Sequence, residues 1–235
     1  RLLVYKDAQF YITSITVLLL AFAFAVIYNP LPGVMLQGEM NRLIALLPLS
    51  LYGLYLFLQQ QDTMEENQTS NHQPPSDIPV GKEWLRLLFS LVLIVVSGDG
   101  VVSGAIGLGK VVSTPTFLWG ITVIAAGTSL PDAFVSIRAA RRGDGIISLA
   151  NVLGSNIFDL LVAIPVGVMI AGASIIDFAV AAPMMAVLTF ATIVLFAMLR
   201  TGLVLSKKEC LVLLGMYGLF VGWMVLETFE ITNVI

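Results

Sequence analysis

Seven apolar stretches dominate the sequence, and each is long enough to cross a membrane. They run over residues 9–28, 43–59, 84–108, 115–138, 146–170, 178–199 and 209–227. A hydrocarbon core about 30 Å thick is crossed by a helix of about 20 apolar residues. Hydrophobic residues make up 58% of the chain, against about 45–50% in a soluble domain. The sequence therefore predicts an all-α integral membrane protein with seven transmembrane helices, surrounded by lipid.

Positive charges predict the orientation of these helices, because Lys and Arg in short loops mark the cytoplasmic side. Arg42 and Lys110 are assigned to one side of the membrane. The other set of loops contains Arg1, Lys6, Lys82, Arg138, Arg141, Arg142, Arg200, Lys207 and Lys208. We therefore expect residue 1 in the cytoplasm, the C-terminus outside and the cell membrane as the location.

The sequence also contains a polar segment and a weak internal repeat. Residues 60–82 are polar and carry three prolines, which is typical of a linker, here on the cytoplasmic side. The first two spans resemble the last two, since KDAQFYITSITVLLLAF at Lys6 aligns with IDFAVAAPMMAVLTFAT at Ile176. This repeat predicts the last two helices of a first half over residues 1–59 and a complete second half over residues 83–235.

The second half has three further spans before Ile176, and nothing matching them precedes Lys6. We therefore expect roughly 90 residues of a symmetrical protein to lie before Arg1. In the third span, five glycines between Gly98 and Gly109 predict a helix that is interrupted and that bends or slides against its neighbours.

Three aspartates lie within the apolar spans: Asp99, Asp132 and Asp159. A charge at this depth costs several kcal/mol, and no Lys or Arg lies mid-span to compensate it, so a cation or a proton is the natural counter-charge. At 1.5 Å per residue, Asp132 and Asp159 lie about 14 and about 21 Å from the turn between their helices, near the bilayer centre. We expect these two at one level in an ion site. Asp99 is alternatively a buried hydrogen-bonding residue.

Neighbouring residues offer further oxygen atoms to a cation. One helical face carries a residue of small size, two hydroxyls and a carboxylate: Ala125, Thr128, Ser129 and Asp132. Pro131 frees backbone carbonyls on the preceding turn, and Ser155 lies one turn before Asp159. Hard cations such as Na⁺ and Ca²⁺ prefer such oxygen ligands. The alternative, that the hydroxyls bond to carbonyls of their own helices, stays open.

Two motifs carry a resemblance to a known family. GTSLPD at Gly127–Asp132 and GSNIFD at Gly154–Asp159 resemble the second alpha-repeat of the Na⁺/Ca²⁺ exchangers, in the Ca²⁺/cation antiporter superfamily. The similarity extends over about residues 97–170. It implies that the chain is the C-terminal part of an inverted-repeat antiporter with ten helices. It also implies a set of ion ligands: Asp132 and Asp159 through carboxylates, Thr128, Ser129 and Ser155 through hydroxyls, and Ala125 through its carbonyl.

The resemblance implies secondary active antiport of Na⁺ against Ca²⁺, with no enzymatic step, no cofactor and no nucleic-acid partner. K⁺ co-transport stays open, because the pairing of SLPD with GSNIFD is similar to that in K⁺-dependent exchangers, while many prokaryotic members have Glu where this chain has Asp132. The first alpha-repeat is absent. The resemblance therefore implies that a missing N-terminal half, or a second copy of the chain, completes the ion site.

Three alternatives remain at this point. A proton-coupled cation exchanger also needs membrane carboxylates, and a passive channel uses similar pore-lining groups. An intramembrane aspartyl protease also uses two aspartates, but such enzymes resemble one another in a YD and GxGD pair. The two aspartates here lie in SLPD and NIFD instead.

Overall fold

A computed structural model describes residues 2–69, 80–112, 120–199 and 205–228. The helices are α1 (Leu2–Tyr28), α2 (Arg42–Thr69), α3 (Val80–Val112), α4 (Ala125–Arg141), α5 (Gly145–Phe158), α6 (Ile164–Ala171), α7 (Phe178–Leu199) and α8 (Lys207–Thr228). Two π-helical segments also occur, π1 (Gly120–Ile124) directly before α4 and π2 (Asp159–Ala163) between α5 and α6. The strands are β1 (Gln37–Asn41) and β2 (Ala173–Asp177).

Six segments of the described residues are long and apolar enough to cross a membrane. Each of these segments coincides with one predicted span. The segment Gly145–Ala171 consists of α5, π2 and α6. The predicted span 115–138 corresponds to π1 and α4, although its residues 115–119 lie outside the described part of the chain. The all-α multi-pass membrane class is confirmed.

Two boundaries differ from the sequence prediction. The glycines do not interrupt the third span, because α3 is one helix over Val80–Val112. A glycine costs a helix about 1 kcal/mol, whereas a backbone group left unbonded in hydrocarbon costs more. Similarly, α2 continues through Thr69, well into the predicted linker 60–82, because Gln, Met and Glu there favour helix. The three prolines of that linker lie outside the described residues.

The chain divides into two compact units, and the larger comprises mainly residues 1–61 and 132–218. Its core lies between α1 and the later helices, which α1 contacts at α5, π2 and α7. The most deeply buried side chains of this core include Ile15, Leu18, Leu153, Ile157 and Leu161. Because α1 was assigned to the first half and α5 to α7 to the second, this core joins residues from both predicted halves.

A two-stranded antiparallel ribbon joins the loop after α1 to the loop before α7. The register runs from Gln37 opposite Asp177 to Asn41 opposite Ala173. The Gln37 side-chain amide donates to Asp177 Oδ2 at 2.7 Å, and Asp177 Oδ1 accepts from the Ala179 amide at 3.0 Å. Asp177 therefore caps the N-terminus of α7 and holds the ribbon to it.

Asp7, the repeat counterpart of Asp177, has a different environment. It lies inside α1 and is 5% exposed. Its carboxylate accepts from the Tyr55 hydroxyl at 3.0 Å and from the Gln59 amide at 2.8 Å, both on α2. These bonds satisfy a buried polar group and fix α2 on α1.

The turn between α4 and α5 ends one helix and begins the next within three residues. The Asp144 amide donates to the Ala139 carbonyl and the Gly143 amide donates to the Ala140 carbonyl. This is the Schellman arrangement, and Gly143 supplies the positive φ of 86° that it requires. Consequently α4 and α5 run antiparallel as immediate neighbours.

Gly38 provides a test of how β1 packs on α1. A Cβ at Gly38 would overlap the Ala25 carbonyl oxygen and Val26 Cα. Because these are backbone atoms, Gly38→Ala should destabilise the protein by about 1–3 kcal/mol. Thermal unfolding of the detergent-solubilised protein measures the effect.

The matched control is Gly53→Ala in α2, where an added Cβ meets nothing within 4 Å. This variant should unfold at the parent temperature or slightly above it, because Ala is the better helix former. Equal unfolding temperatures for the two variants would contradict the described contact between β1 and α1.

Candidate ion-binding site

Asp132 and Asp159 both belong to the larger unit and lie on neighbouring antiparallel segments. Asp132 is on α4, and Asp159 is the first residue of π2. The two carboxylates lie within electrostatic range of one another. Among the described residues, no side chain donates a hydrogen bond to either carboxylate and no Lys or Arg forms an ion pair with it. The two carboxylates therefore lie close enough to influence each other, without a described cationic side chain to compensate them.

Side-chain hydrogen bonds fix the register between α4 and α5. The Asn151 Nδ2 atom on α5 donates to the Asp132 carbonyl oxygen at 3.2 Å and to Ser136 Oγ at 3.1 Å. Ser136 Oγ, which is buried on α4, donates to the Ser148 carbonyl at 3.4 Å. The backbone of Asp132 thus lies level with Asn151.

This register corrects the expectation that the two carboxylates lie at one level. Asp159 follows Asn151 by eight residues, which is about 12 Å along the helix axis. Counting from the turn places both residues near the bilayer centre but does not include the register between the helices. Helical side chains lean towards the N-terminus of their own helix. On antiparallel helices, Asp132 and Asp159 lean towards each other, which is consistent with their electrostatic interaction.

Ser155 lies between the levels of the two aspartates. It is one turn after Asn151 and one turn before Asp159, and it is half-buried. Its hydroxyl donates to the Val152 carbonyl at 3.2 Å. The oxygen lone pairs remain able to coordinate a cation, so Ser155 retains the chemistry of a ligand while bonding to its own helix.

The other three predicted ligands lie in the smaller unit, which comprises residues 62–131 and 219–234. Ala125, Thr128 and Ser129 are exposed on the first turns of α4. The Thr128 hydroxyl donates to the Ile124 and Ala125 carbonyls, both at 3.1 Å. The Thr128 and Ser155 hydroxyls therefore donate to carbonyls of their own helices, as the alternative predicted. Their oxygen lone pairs remain available to a cation.

Gly127 of the GTSLPD motif has a packing role within the smaller unit. A Cβ at this position would lie 2.9 Å from Val101 Cγ1. The glycine therefore permits close approach between α3 and the beginning of α4, as small residues do in membrane helix packing.

Two π-helical segments adjoin predicted ligands. π1 ends at the residue before Ala125, and π2 begins at Asp159. In π2, the Ile164 amide donates to the Asp159 carbonyl five residues earlier. Pro165 follows directly, and we attribute the wide turn to its ring, which a regular α-turn does not accommodate. Such segments often occur at functional sites. Pro165 was the available sequence signal for π2.

Two residues near Asp159 and Asp132 were not predicted. Asn151 extends the stripe of Ser155 and Asp159 by one further turn, and this i, i+4, i+8 spacing was its sequence signal. Tyr11 of α1 is 5% exposed, and its hydroxyl interacts with the Thr192 side chain within electrostatic range of Asp159. No local pattern predicts Tyr11, because the contact depends on how α1 packs in the larger unit.

Acidic, cysteine and histidine residues do not form a metal centre by themselves. Within the described ranges, no group of three or more such side chains is placed to hold a metal ion. A cation at Asp132 and Asp159 would therefore need hydroxyl, amide or carbonyl oxygens as well, which is the oxygen-rich coordination that Na⁺ and Ca²⁺ prefer.

Comparison with known proteins agrees with this chemistry. Residues 82–226 match the family described as sodium/calcium exchanger protein, which is more than half of the 235-residue chain. The chain belongs to this family. The family is one of antiporters, not enzymes, so the protease alternative no longer applies.

Relatives of the sodium/calcium exchanger family match parts of the chain. The putative antiporter CaxA of Alkalimonas amylolytica is 34% identical over 97 residues, 41% of this chain and 30% of the relative. The human sodium/potassium/calcium exchanger 5 is 43% identical over 53 residues, 23% of this chain and 11% of the relative. The inner membrane protein YrbG of Escherichia coli is 26% identical over 148 residues, 59% of this chain and 45% of the relative. The chain thus spans less than half the length of each of these relatives. No solved structure matches it.

The proximity of the Asp132 and Asp159 carboxylates predicts that Asp159→Asn stabilises the ion-free protein, which is unusual for the loss of a polar group. Removing one of two like charges should raise the unfolding temperature of the ion-free, detergent-solubilised protein. Added Ca²⁺ at a hundred times its Kd stabilises a protein by about 2.7 kcal/mol, and we expect this variant to lose most of that gain. Thermal unfolding in chelator and in Ca²⁺ measures both effects.

Asp144→Asn is the matched control, because Asp144 is exposed in the α4–α5 turn and its side chain makes no capping bond. This control should behave like the parent protein in both conditions. A variant Asp159→Asn that is less stable without ions and equally stabilised by Ca²⁺ would contradict the described site.

Proposed function

We propose that the full-length protein exchanges Na⁺ for Ca²⁺ across the membrane by secondary active transport. In this proposal, both ions compete for Asp132 and Asp159, and Na⁺ entering down its gradient drives Ca²⁺ out. The observation that carries the proposal is the pair of carboxylates on adjacent antiparallel segments, in electrostatic range and without a described cationic partner. Membership in the exchanger family supports it.

We further propose that Ser155 joins the two carboxylates as a ligand, with Thr128 and Ser129 through hydroxyls and Ala125 through its carbonyl. These six groups barely complete a Ca²⁺ shell of six to eight oxygens. The chain spans less than half of its relatives. The remaining ligands then come from another segment of the full-length protein or from a second copy of this chain.

K⁺ co-transport is part of what must be tested. Several relatives carry the name sodium/potassium/calcium exchanger, including the human protein 43% identical over 53 residues. Omitting K⁺ from the transport assay distinguishes the two stoichiometries.

Transport by the purified full-length protein in liposomes tests the ion site. An outward-directed Na⁺ gradient should drive Ca²⁺ uptake, and Asp132→Asn should reduce the initial rate by at least about a hundredfold, as expected when a buried ion loses a charged partner. The substitution leaves intact the Asp132 backbone carbonyl that Asn151 contacts. Uptake at the parent rate in Asp132→Asn would refute the site.

The ion dependence of the same assay separates the competing transport modes. Flux that follows a pH gradient and ignores Na⁺ would identify a proton-coupled exchanger instead. Ca²⁺ flux that needs no counter-ion and does not saturate would identify a channel. Asp144→Asn, in the exposed α4–α5 turn, is the control for non-specific effects of losing a carboxylate.

We also propose that residue 1 and the α4–α5 turn face the cytoplasm, and that the β-ribbon and the C-terminus lie outside. Pairing of β1 with β2 supports a common side for their two loops. Arg42, an exception to the charge rule, donates to the Met169 carbonyl at 3.1 Å. This bond places its charge at the C-terminus of α6, where a cation is favourable.

Cysteine labelling in intact cells tests this orientation. In a cysteine-free background that includes Cys210→Ser, Val34→Cys should react with an impermeant maleimide from outside. Asp144→Cys should react after permeabilisation alone, because its turn carries the cytoplasmic arginines. Both positions are exposed, so accessibility does not bias the result. The reverse labelling pattern would invert the proposed orientation.

A further inference from the structure

The side-chain hydrogen bonds between α4 and α5 converge on Asn151 and Ser136. Asn151 Nδ2 donates to the Asp132 carbonyl and to Ser136 Oγ, and Ser136 Oγ donates to the Ser148 carbonyl. Ser136 is 9% exposed. In a membrane span, such polar groups are satisfied by partners within the protein. Two of these three bonds end on backbone carbonyls, so they position the helices and not merely two side chains.

Asn151 contacts the backbone of Asp132 and leaves the carboxylate available. Its side-chain nitrogen has two hydrogens, and one of them binds the Asp132 carbonyl oxygen at 3.2 Å. The Asp132 carboxylate accepts no hydrogen bond from a described residue. Asn151 therefore holds the part of α4 that carries the ligand without occupying the ligand itself.

The force on this contact depends on whether a cation is bound. Two ionised carboxylates on neighbouring helices repel each other when no cation lies between them, and this repulsion favours a wider separation of α4 and α5. With a cation between them, both are attracted to it and the helices are drawn together. The hydrogen bonds of Asn151 lie on the same two helices, at the level of Asp132, and oppose the separation in the empty state.

We propose that Asn151 is a positioning residue that fixes α4 on α5 and thereby sets the separation of the Asp132 and Asp159 carboxylates that receives Ca²⁺. This inference rests on the proposed function. Calcium–oxygen distances fall between about 2.3 and 2.6 Å, so a small increase in carboxylate separation weakens binding. Loss of the contact should lower Ca²⁺ affinity more than the maximal rate of exchange.

The test uses the full-length protein in liposomes and measures initial Ca²⁺ uptake as a function of Ca²⁺ concentration. Asn151→Leu, which keeps the approximate size but loses both donors, should raise the KM for Ca²⁺ about tenfold, with the maximal rate within about twofold. Asn151→Gln keeps the amide and should recover most of the affinity.

Ser136→Ala separates positioning from direct coordination. It removes one acceptor of Asn151 and should raise the KM about threefold. The double variant S136A/N151L should be no worse than N151L, because the two residues act through one network. Thr189→Val is the matched control: its hydroxyl donates to Met185 within α7 at 2.7 Å and joins no two helices. Its KM should equal that of the parent.

Two outcomes would overturn the proposal. An unchanged KM in N151L, even with a lower unfolding temperature, would mean that Asn151 only packs the helices. A raised KM in N151L with an unchanged KM in S136A would mean that Asn151 binds the ion directly. If N151L does not fold, the KM values of S136A and N151Q, each compared with that of the parent, still test the proposal. Retained exchange in Asp132→Asn would instead refute the proposed function.

Discussion

Hydrocarbon offers no hydrogen bonds, and the polar groups of this chain are arranged around that constraint. Hydroxyls within the spans bond to carbonyls one turn earlier, as Ser14 does to Phe10 and Thr192 to Leu188. Among the described residues, no buried side-chain nitrogen or oxygen lacks a partner. The Asp132 and Asp159 carboxylates are less buried than these groups, and no described side chain donates to them or pairs with them. Carboxylates at membrane depth without such partners are functional candidates by default.

Burial of α1 connects the two parts of the sequence. Its side chains Leu18, Ala21 and Ala25 are fully buried, and the small alanines permit close helix packing. The same helix brings Tyr11 within electrostatic range of Asp159. The environment of Asp159, in the predicted second half, therefore includes a residue from the predicted first half.

The sequence predicted the features that depend on local composition. It did not predict the features that depend on contacts between helices. Span positions followed from hydropathy, since a helix of apolar residues in lipid has few alternatives. The α4–α5 turn followed from the gap between the apolar spans 115–138 and 146–170, which carries Arg141 and Arg142. The relative positions of Asp132 and Asp159 along the helix axes did not follow from the sequence, because they depend on the Asn151 contacts between two helices. The continuity of α3 was missed because glycine is a weaker helix breaker in lipid than its propensity in water implies.

The wide turn of π2 has a consequence for the span that contains it. A π-helical turn holds one more residue than an α-helical turn, and each residue of an α-helix advances the azimuth by about 100°. The side of α6 that is turned towards the core therefore differs from the side that a regular continuation of α5 would turn towards it. Val168 is buried with this rotation in place. The extra residue within Asp159–Ala163 thus determines which side of α6 packs against the rest of the protein.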